Sequence, residues 1–265
     1  MDSKHVLVIA AGSDIGAHLV EHYLGQGAKV TGTYRRADER ITRLAQLGAR
    51  MLPLEIDSAD SVSAFVAQLA QTGLRWDVLI SAPGLLAPIG NFFSLDFDDW
   101  EKSVMVNSTS QLRVLHAVHG LRAAASKVIF FAGGGTNSAF DNYSAYCIGK
   151  LSLIKMTELL DSECPDLQVS IIGTGWVNTK IHRQTLDAGS AAGSNYERTK
   201  DYIEGGQALG ATVEEVAQCI DWCISAAREA VGGRNFSLVH DQWRDPEFEK
   251  LLKENPGSYK LRRLS

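Results

Sequence analysis

The sequence predicts a single doubly wound α/β domain, in which helices cover both faces of a seven-stranded parallel sheet. Short apolar runs rich in β-branched residues alternate along the chain with longer amphipathic stretches. Strands and helices that alternate strictly give parallel strands joined by right-handed crossovers. Neither a repeat nor a linker divides the 265 residues, and 45% of them are hydrophobic, which is enough for one large core. We therefore expect one domain over residues 1–265.

Each strand is predicted from a short apolar run bounded by turn residues. In chain order the seven runs are HVLVIA, AKVTGTY, RMLPLEI, WDVLIS, KVIFFA, LQVSIIG and NFSLV. The helices lie between them, where apolar residues recur at helical spacing. They are predicted at 15–24, in a polar stretch that ends near residue 47, at 61–71, at about 98–124, and from the segment 141–150 onward.

Composition and charge exclude several classes of function. The formal net charge is −5, whereas a protein whose main partner is nucleic acid needs a basic face. No apolar run approaches the ~20 residues of a membrane span. The N-terminal MDSKHVLVIA leads directly into a strand, without the parts of a signal peptide. We expect a soluble, cytoplasmic protein that acts on a small molecule.

Two pairs of potential metal ligands share helix faces, His18 with His22 and Cys219 with Cys223. Neither pair is accompanied by a second ligand pair at a recognisable spacing, so we expect packed or surface residues and no metal site. The four cysteines do not form a disulfide framework in a chain of this length.

The loop after the first strand has the residues of a phosphate-binding turn. Gly12 and Gly16 stand between the first strand and the first helix, in AAGSDIGAHL. A tight turn at this place presents backbone N–H groups and a helix N-terminus to a pyrophosphate. The predicted dinucleotide contacts here are Gly12, Ser13, Asp14, Ile15 and Gly16.

The loop after the second strand indicates which dinucleotide is bound. Arg35 and Arg36 follow this strand, and guanidinium groups bind the 2′-phosphate of NADP(H), whereas an NAD(H) site carries a carboxylate there. NADP(H) is therefore favoured, although Asp38 and Glu39 follow closely and keep NAD(H) as an alternative. Further contacts are predicted from Asp57, at the adenine edge, and from the small residues Ser81, Ala82 and Pro83.

Tyr146 precedes Lys150 by four residues in DNYSAYCIGK, which puts both side chains on one helix face. Together with the first turn, Asp57, the turn SAPG and Asn107 in VMVNSTS, this pair resembles the short-chain dehydrogenase/reductase family. The matches follow that family's order and cover almost the whole chain. The resemblance implies a Rossmann fold and NAD(P)(H)-dependent interconversion of a secondary alcohol and a ketone. It further implies that Asn107 kinks its helix and holds a water near Lys150, and that the nicotinamide is covered by Gly175, Val177 and Thr179 of GTGWVNT.

Lys150 is expected to lower the pKa of Tyr146. A free tyrosine titrates near pH ~10, and a fall to ~7 requires about 4 kcal/mol. One positive charge at ~4 Å supplies about this attraction at an effective dielectric constant of ~20. Tyr146 would then serve as general acid in ketone reduction and as general base in the reverse direction.

The sequence departs from the family pattern at two glycines and at the catalytic serine. The glycine positions of the first turn hold Ala10 and Asp14; we expect a negative φ at Ala10 and an Asp14 side chain that points away from the phosphates or caps the helix. The serine position falls at Ala132 or Gly133, in FFAGGGTNSAF. Ser138 is the predicted replacement donor, with Thr136 and the 133–135 backbone as alternatives.

Loss of the serine hydrogen bond lowers the rate by a typical 10²- to 10³-fold, so two hypotheses stay open. The first is an active oxidoreductase that uses Tyr146, Lys150, Asn107 and Ser138. The second is a dinucleotide-binding sensor or scaffold that has lost catalysis.

A substrate lid is expected at 180–209, after GTGWVNT. Its polar and basic residues favour a hydroxylated or anionic substrate such as a sugar or nucleotide sugar. They are His182, Arg183, Tyr196, Arg198, Lys200 and Tyr202. The AGGG loop is a second indication of sugars, because it resembles a loop of family branches that act on them.

The chain ends in a basic segment, 254–265, which is expected to be frayed. A homodimer or homotetramer is expected from the resemblance, and it would bury Leu112, Leu115 and Leu153 as exposed apolar residues.

Overall fold

The computed structural model describes residues 1, 3–205 and 210–263. It contains a seven-stranded parallel sheet in the order β3-β2-β1-β4-β5-β6-β7, which confirms the predicted fold class. The strands are β1 His5–Ile9, β2 Lys29–Tyr34, β3 Arg50–Pro53, β4 Trp76–Ser81, β5 Arg122–Phe131, β6 Leu167–Gly173 and β7 Asn235–Ser237.

The order of the strands changes direction at β1. This strand pairs with β2 on one side, through Val6 and Val30, and with β4 on the other, through Val6 and Val78. The helices that follow β1 and β4 therefore leave toward opposite faces of the sheet, and a crevice lies between their first turns. In doubly wound sheets this switch point is where ligands bind, beyond the carboxyl ends of the strands.

The helices cover both faces of the sheet, as alternation of the elements predicts. They are α1 Asp14–Gly25, α2 Glu39–Gln46, α3 Ala59–Gln71, α4 Phe97–Asn107, α5 Thr109–Val118, α6 Ser144–Glu163, α7 Ile181–Ala188, α8 Ser194–Glu204, α9 Val213–Ser225, α10 Arg228–Val231 and α11 Pro246–Glu254. Short 3₁₀ turns occupy Phe92–Ser94, His119–Leu121 and Gly189–Ala192.

The single helix predicted at about 98–124 is wrong. Ser108 leaves the helical region, with φ −140° and ψ −90°, and separates α4 from α5. The chain then enters β5 at Arg122, so the last three residues of the predicted helix form strand instead. Alanines 123–125 have high helix propensity, but pairing of Arg122 with Trp76 of β4 overrides it.

Side chains of β1 alternate between two apolar layers. Val6 and Val8 pack on the α1 and α9 side, and Leu7 and Ile9 pack on the α3, α5 and α6 side. All four are at most 1% exposed. A strand buried on both faces reads as a continuous apolar run, which is the pattern of HVLVIA.

The expectation of a frayed C-terminal segment is wrong for its described part. Tyr259 packs on the α1 and α9 side of the core, and its carbonyl oxygen accepts a 2.8 Å hydrogen bond from the Asn235 backbone N–H. Arg262 Nη1 lies 3.0 Å from a carboxylate oxygen of Glu158 on α6. Residues 264 and 265 lie outside the described part of the chain.

The prediction that three exposed leucines form an interface between copies is also wrong. Leu115 and Leu153 are 4% and 0% exposed and belong to the core, and Leu112 packs against it. They provide no argument for a second copy. Of the helices described, none is both long enough and apolar enough to span a membrane.

Candidate active site

The turn between β1 and α1 has the tight geometry of a phosphate-binding loop. Ser13 caps α1, and its Oγ accepts a 3.0 Å hydrogen bond from the Gly16 backbone N–H. A side chain at residue 16 would overlap the carbonyl oxygen of Ala10, so glycine is required there. At Gly12 the nearest atom to an added Cβ is Ile41 Cδ1, at 3.5 Å. Packing therefore requires glycine at residue 16 but not at residue 12.

Ala10 has φ +62°, so the expected negative φ is wrong. Its backbone N–H donates to Thr33 Oγ1 at 3.0 Å, and its carbonyl accepts from the Ser13 N–H at 3.0 Å. These two bonds hold the backbone in the left-handed region, which destabilises a residue with a Cβ by about 1–2 kcal/mol. The turn thus keeps the conformation of a glycine although alanine occupies it.

The Asp14 carboxylate is directed at two donors. Oδ1 lies 2.8 Å from Arg40 Nη1, and Oδ2 accepts a 2.7 Å hydrogen bond from the Lys180 backbone N–H. Arg40 also donates to the carbonyl of Gly12 at 3.0 Å. The carboxylate therefore joins the first turn to the beginning of the lid, and it places a negative charge at the N-terminus of α1, where an anionic ligand gains most from the helix dipole.

The residues predicted to select the dinucleotide differ in how they are engaged. Arg35 and Arg36 are exposed just beyond the end of β2. Asp38, one of the two carboxylates that kept NAD(H) as an alternative, caps α2 by accepting from the Ile41 N–H at 2.9 Å. Asp57 is half-buried, and its backbone carbonyl accepts from Arg113 at 3.2 Å. Arg35 and Arg36 are thus accessible at this end of the crevice, and so is the exposed carboxylate of Glu39.

In the small residues after β4, the side-chain hydroxyl is already bonded within the protein, and backbone groups make the other contacts. Ser81 is buried, and its hydroxyl donates to Gln111 Oε1 at 2.8 Å. The Ala82 N–H donates to the carbonyl of Ile9 at 3.1 Å. The carbonyl of Pro83 accepts from Gln111 Nε2 at 3.4 Å and from Lys150 Nζ at 3.1 Å.

Asn107 lies at the break between α4 and α5, which confirms the predicted kink in this helical segment. Its side chain is fully buried and exchanges two hydrogen bonds with the backbone of Leu85, at 2.7 and 3.1 Å. Its Nδ2 also donates to the carbonyl of Ser103 at 2.9 Å. A Cβ at Gly149 would come within 2.6 Å of Asn107 Cβ, so the glycine allows α6 to approach α4 closely.

Lys150 is a buried cation with a single acceptor. The residue is 3% exposed, and its Nζ donates to the carbonyl of Pro83. Within the described residues its ammonium has no carboxylate partner. Burial lowers the pKa of Lys150 to about 7 because the charged form is poorly solvated.

The Tyr146 phenol rests against the backbone of Gly133. A Cβ at Gly133 would lie 2.6 Å from the Tyr146 oxygen and equally close to the carbon that bears it. Glycine at the position of the family serine therefore makes the space that the phenol occupies. Burial raises the pKa of the Tyr146 phenol well above its ordinary value, because the charged phenolate is poorly solvated there.

The predicted lowering of the Tyr146 pKa is thus wrong for this arrangement of the side chains. Lys150 Nζ lies 5.9 Å from the centre of the Tyr146 ring and is turned toward Pro83. The prediction that Tyr146 and Lys150 share a helix face is confirmed. The ammonium does not approach the phenol oxygen closely enough to offset the effect of burial on the phenol pKa.

Neither candidate side chain, Ser138 or Thr136, hydrogen-bonds to the phenol in the described structure. Ser138 is exposed, and Thr136 donates its hydroxyl to the carbonyl of Gly133 at 3.4 Å. In the part of the chain that the structure describes, no hydrogen bond involves the Tyr146 hydroxyl. The role predicted for Ser138 stays a prediction.

Apolar side chains surround Tyr146. A cluster of Leu86, Ile89, Tyr143 and Ala192 is the centre of this region. The half-buried members around it are Phe140, Tyr146, Cys147, Ile181, Ala188 and Tyr196. The inner face of the lid is therefore aliphatic and aromatic, whereas its basic residues Arg183, Arg198 and Lys200 are exposed. The interpretation of the lid as a polar, basic surface toward the substrate is wrong. Residues 206–209 of the predicted lid lie outside the described residues.

The lid is tied to the loop after β4 by residues that the sequence did not single out. Gln184 Oε1 on α7 accepts from the backbone N–H groups of Leu86 and Ala87, both at 3.0 Å. Tyr143 donates its hydroxyl to Thr185 at 2.8 Å. Sequence gives no signal for these contacts, because Gln184 is a polar residue like its neighbours and its partners lie almost 100 residues earlier.

The segment after β6 turns at Gly175, which has φ +65°. Val177 is 4% exposed and its carbonyl lies 2.8 Å from Nε2 of His182. The His182 ring stacks on Trp176 and meets Tyr202 edge-on. His182 and Tyr202, predicted as polar lid residues, therefore pack the lid onto this segment, and the half-buried Thr179 precedes α7.

A cavity of about 560 Å³ opens on the other side of the 133–143 loop. Its walls include Asn91, Phe92, Gly135, Phe140 and Cys147. Neither Tyr146 nor Lys150 lines it. We assign the chemistry to the crevice at the strand ends, because the buried cation and the capped glycine turn are there.

Comparison with known proteins agrees with this geometry. A family model described as enoyl-(acyl carrier protein) reductase matches residues 9–239. The chain belongs to the short-chain dehydrogenase/reductase family. A solved short-chain dehydrogenase/reductase of Saccharomyces cerevisiae superimposes with a TM-score of 0.78 at 18% identity, over 93% of this chain and 98% of that one. The structure of BdcA in complex with NADPH gives a TM-score of 0.72 at 20% identity, over 89% and 93% of the two chains.

Curated short-chain dehydrogenase/reductases are similar at low identity. D-threitol dehydrogenase of Mycolicibacterium smegmatis is 27% identical over 172 residues, which are 62% of this chain and 65% of that protein. The chain thus spans just under two thirds of its length. NAD-dependent glycerol dehydrogenase of Listeria innocua is 23% identical over 241 residues, 89% of this chain and 92% of that protein.

Members of this family bind NAD(P)(H), and the crevice fits such a group. The Ser13-capped turn directs the N-terminus of α1 at the place of a pyrophosphate, and exposed arginines lie beyond β2. Lys150 is an ammonium with three donor hydrogens and one protein acceptor, so it has donors left for ligand hydroxyls. Asp14 is the one residue in the turn whose charge opposes an anion.

Proposed function

We propose that the protein is an NAD(P)(H)-dependent oxidoreductase that interconverts a secondary alcohol and a ketone. The observation that supports this most strongly is the joint placement of Tyr146, Lys150 and Asn107 at the carboxyl ends of the strands, beside the capped turn of α1. Bound nicotinamide supplies or accepts the hydride. The protein supplies the proton, through the Tyr146 phenol.

The high pKa of Tyr146 suits one direction of this reaction. A phenol whose pKa is raised above its ordinary value keeps its proton at neutral pH, so it can donate to the oxygen of a ketone as that oxygen becomes negative. In the opposite direction the phenol must first lose its proton. Movement of the Lys150 ammonium to ~4 Å from the oxygen would provide about 4 kcal/mol toward that loss, or about three pKa units.

Ala132 or Gly133 stands at the position of the family serine, and the proposal does not require a serine. The Gly133 position leaves Tyr146 as the hydroxyl that faces the reacting oxygen, with Ser138 as a further donor if the 133–138 loop moves inward. Rates are expected to be lower than with a serine by the typical 10²- to 10³-fold value of one hydrogen-bond donor.

NADP(H) is proposed over NAD(H) because Arg35 and Arg36 are exposed where a 2′-phosphate would lie, whereas Asp38 is committed to capping α2. The names of related proteins favour neither cofactor, since the Listeria enzyme is NAD-dependent and BdcA was solved with NADPH.

We propose a small, uncharged alcohol or ketone as substrate. The residues around Tyr146 are apolar, and the basic residues of the lid face outward, so they do not support an anionic nucleotide sugar. The threitol and glycerol dehydrogenases to which the chain is similar are named for small neutral polyols. Polyols and their keto forms are therefore the first class to test.

The experiment is a screen of neutral polyols, hydroxyketones and nucleotide sugars with NADPH and NADH, followed by Tyr146→Phe on the best substrate. The variant is expected to lose activity by about 10²- to 10⁴-fold, the typical contribution of a general acid or base. Tyr259→Phe, which removes a hydroxyl from the C-terminal segment, is the matched control. Equal turnover by Tyr146→Phe and wild type would contradict the assignment.

The second hypothesis, a dinucleotide-binding protein without catalysis, has one observation in its favour. Tyr146 is packed on Gly133, and within the described residues its hydroxyl makes no hydrogen bond. This second hypothesis requires that the protein binds NADPH, as measured by fluorescence, and that it exchanges hydride with none of the polyols, hydroxyketones and nucleotide sugars of the screen. A cytoplasmic location and a homodimer or homotetramer stay predictions.

A further inference from the structure

Two histidines of α1 face two carboxylates of α9 on the outer surface of the domain. His18 Nε2 lies 3.1 Å from Glu214 Oε2, and His22 Nε2 lies 2.8 Å from Asp221 Oδ2. The histidine rings are stacked with their centres 6.2 Å apart. Gln26 Nε2 donates to the same Asp221 oxygen at 3.0 Å. The proposed oxidoreductase function uses none of these side chains.

Three of these residues place their donor atoms around one point. One ligand atom from each of His18, His22 and Glu214 lies within 4.8 Å of the other two. A zinc ion bound to nitrogen and oxygen at about 2.0–2.2 Å holds its ligand atoms about 3.4 Å apart in a tetrahedron. A side-chain movement of about 1 Å would therefore suffice, and the Glu214 side chain is 55% exposed and free to make it.

The backbone that carries the three ligands is fixed. The two histidines are one turn apart on α1, whose first turn is capped by Ser13. Glu214 is in the first turn of α9, where Thr212 and Glu215 form a reciprocal capping box. Metal binding would thus order side chains only.

We infer that His18, His22 and Glu214 form a binding site for a first-row transition-metal ion such as Zn²⁺. Two imidazoles favour such an ion over Mg²⁺ or Ca²⁺, which prefer oxygen ligands. Asp221 Oδ2 contacts Nε2 of His22, so the metal would bind Nδ1 of this ring and Asp221 would orient it, as is usual for a ligating histidine. The fourth position is open to solvent, because the His18 and Glu214 side chains are 27% and 55% exposed.

The spacing of the histidines was insufficient to predict this site, because Glu214 follows His22 by almost two hundred residues and only the packing of α1 on α9 brings it near. A bound metal ion would link α1, the helix that begins at the phosphate-binding turn, to α9. Since the unfolded chain does not hold the three ligands together, the ion would stabilise the folded state.

The test is titration of the purified full-length protein with ZnCl₂ by calorimetry, with MgCl₂ as a second probe. We expect one zinc ion per chain, little response to magnesium, and a zinc-dependent rise in melting temperature. His18→Ala, His22→Ala and Glu214→Gln should each weaken zinc binding by about 10- to 100-fold or more. His116→Ala, which removes an exposed histidine of α5, is the matched control and should bind as wild type does.

Cobalt identifies the ligands independently. Co²⁺ bound here should give visible bands typical of nitrogen and oxygen ligands, without a thiolate charge-transfer band. A thiolate band would assign the metal to Cys147 or Cys164, which are partly accessible, and would overturn the site. The site would also be overturned if the single variants Glu214→Gln and His18→Ala both bound zinc as tightly as wild type does. Neither result depends on oxidoreductase activity, so this proposal and the proposed function can fail separately.

Discussion

Replacement of Lys150 by methionine is expected to stabilise the folded protein near neutral pH and to remove the proposed oxidoreductase activity. Lys150 is 3% exposed, with the Pro83 carbonyl as its one hydrogen-bond acceptor. Burial of an ammonium without a countercharge opposes folding, and it lowers the pKa of Lys150 from 10.5 to about 7. Methionine retains most of the aliphatic volume and has no charge to desolvate.

The size of the effect follows from the pKa difference between the folded and unfolded chains. At 1.36 kcal/mol per unit, the shift corresponds to about 5 kcal/mol of destabilisation at pH 6, where both states carry the proton. Above pH 7 the folded chain releases the proton while the unfolded chain keeps it, so the penalty falls as pH rises toward 10.5. At pH 9 about 2 kcal/mol remains. Wild-type stability should therefore gain about 3 kcal/mol between pH 6 and pH 9 from this group.

Urea unfolding of wild type and Lys150→Met at several pH values from 6 to 9 measures the prediction. The difference between the two proteins cancels the other titrating groups, and it should shrink by about 3 kcal/mol over this range. At about 2–4 °C per kcal/mol, the variant should melt about 10–20 °C above wild type at pH 6. Lys155→Met, an exposed lysine of the same helix paired with Glu158, is the matched control and should change stability by less than about 1 kcal/mol. A variant less stable than wild type at pH 6, or a pH-independent difference, would refute the reasoning.

Substitutions at three further positions test the site. Ala10→Gly should raise the free energy of unfolding by about 0.5–1.5 kcal/mol in chemical denaturation, since it relieves the positive φ but adds freedom to the unfolded chain; an unchanged or lower value would show that the left-handed turn carries no strain. Asp14→Asn should tighten NADPH binding several-fold at low salt, because removal of a like charge at the α1 N-terminus is worth on the order of 1 kcal/mol, and fluorescence titration giving equal or weaker affinity would exclude electrostatic opposition by this carboxylate. Gly133→Ala and Gly133→Ser should both displace the Tyr146 ring, so the ratio of their kcat/KM values isolates the hydroxyl; we expect the serine variant to be faster by about 10²- to 10³-fold, and equal rates would mean that a donor at residue 133 does not reach the substrate.

Much of the candidate site could be predicted because its signals are local. Ser13 and Gly16 lie within one turn, so capping and close packing at the start of α1 follow from a few neighbouring residues. Tyr146 and Lys150 share a helix face by helical periodicity alone. The protonation of that pair could not be predicted, since it depends on Gly133 and Pro83, which approach from other segments.

The sequence by itself determined the parallel α/β fold, the family and the positions of the chemical groups along the chain, because apolar periodicity and turn residues act over short distances. Only the tertiary structure decided that Ala10 has a positive φ, that Asp14 binds Arg40 and Lys180, and that Glu214 lies beside His18. It also decided that the lid turns its basic side chains outward. Burial, electrostatic pairing and ligand geometry depend on distances between residues far apart in the chain, and those distances exist only once the sheet and its helices have packed.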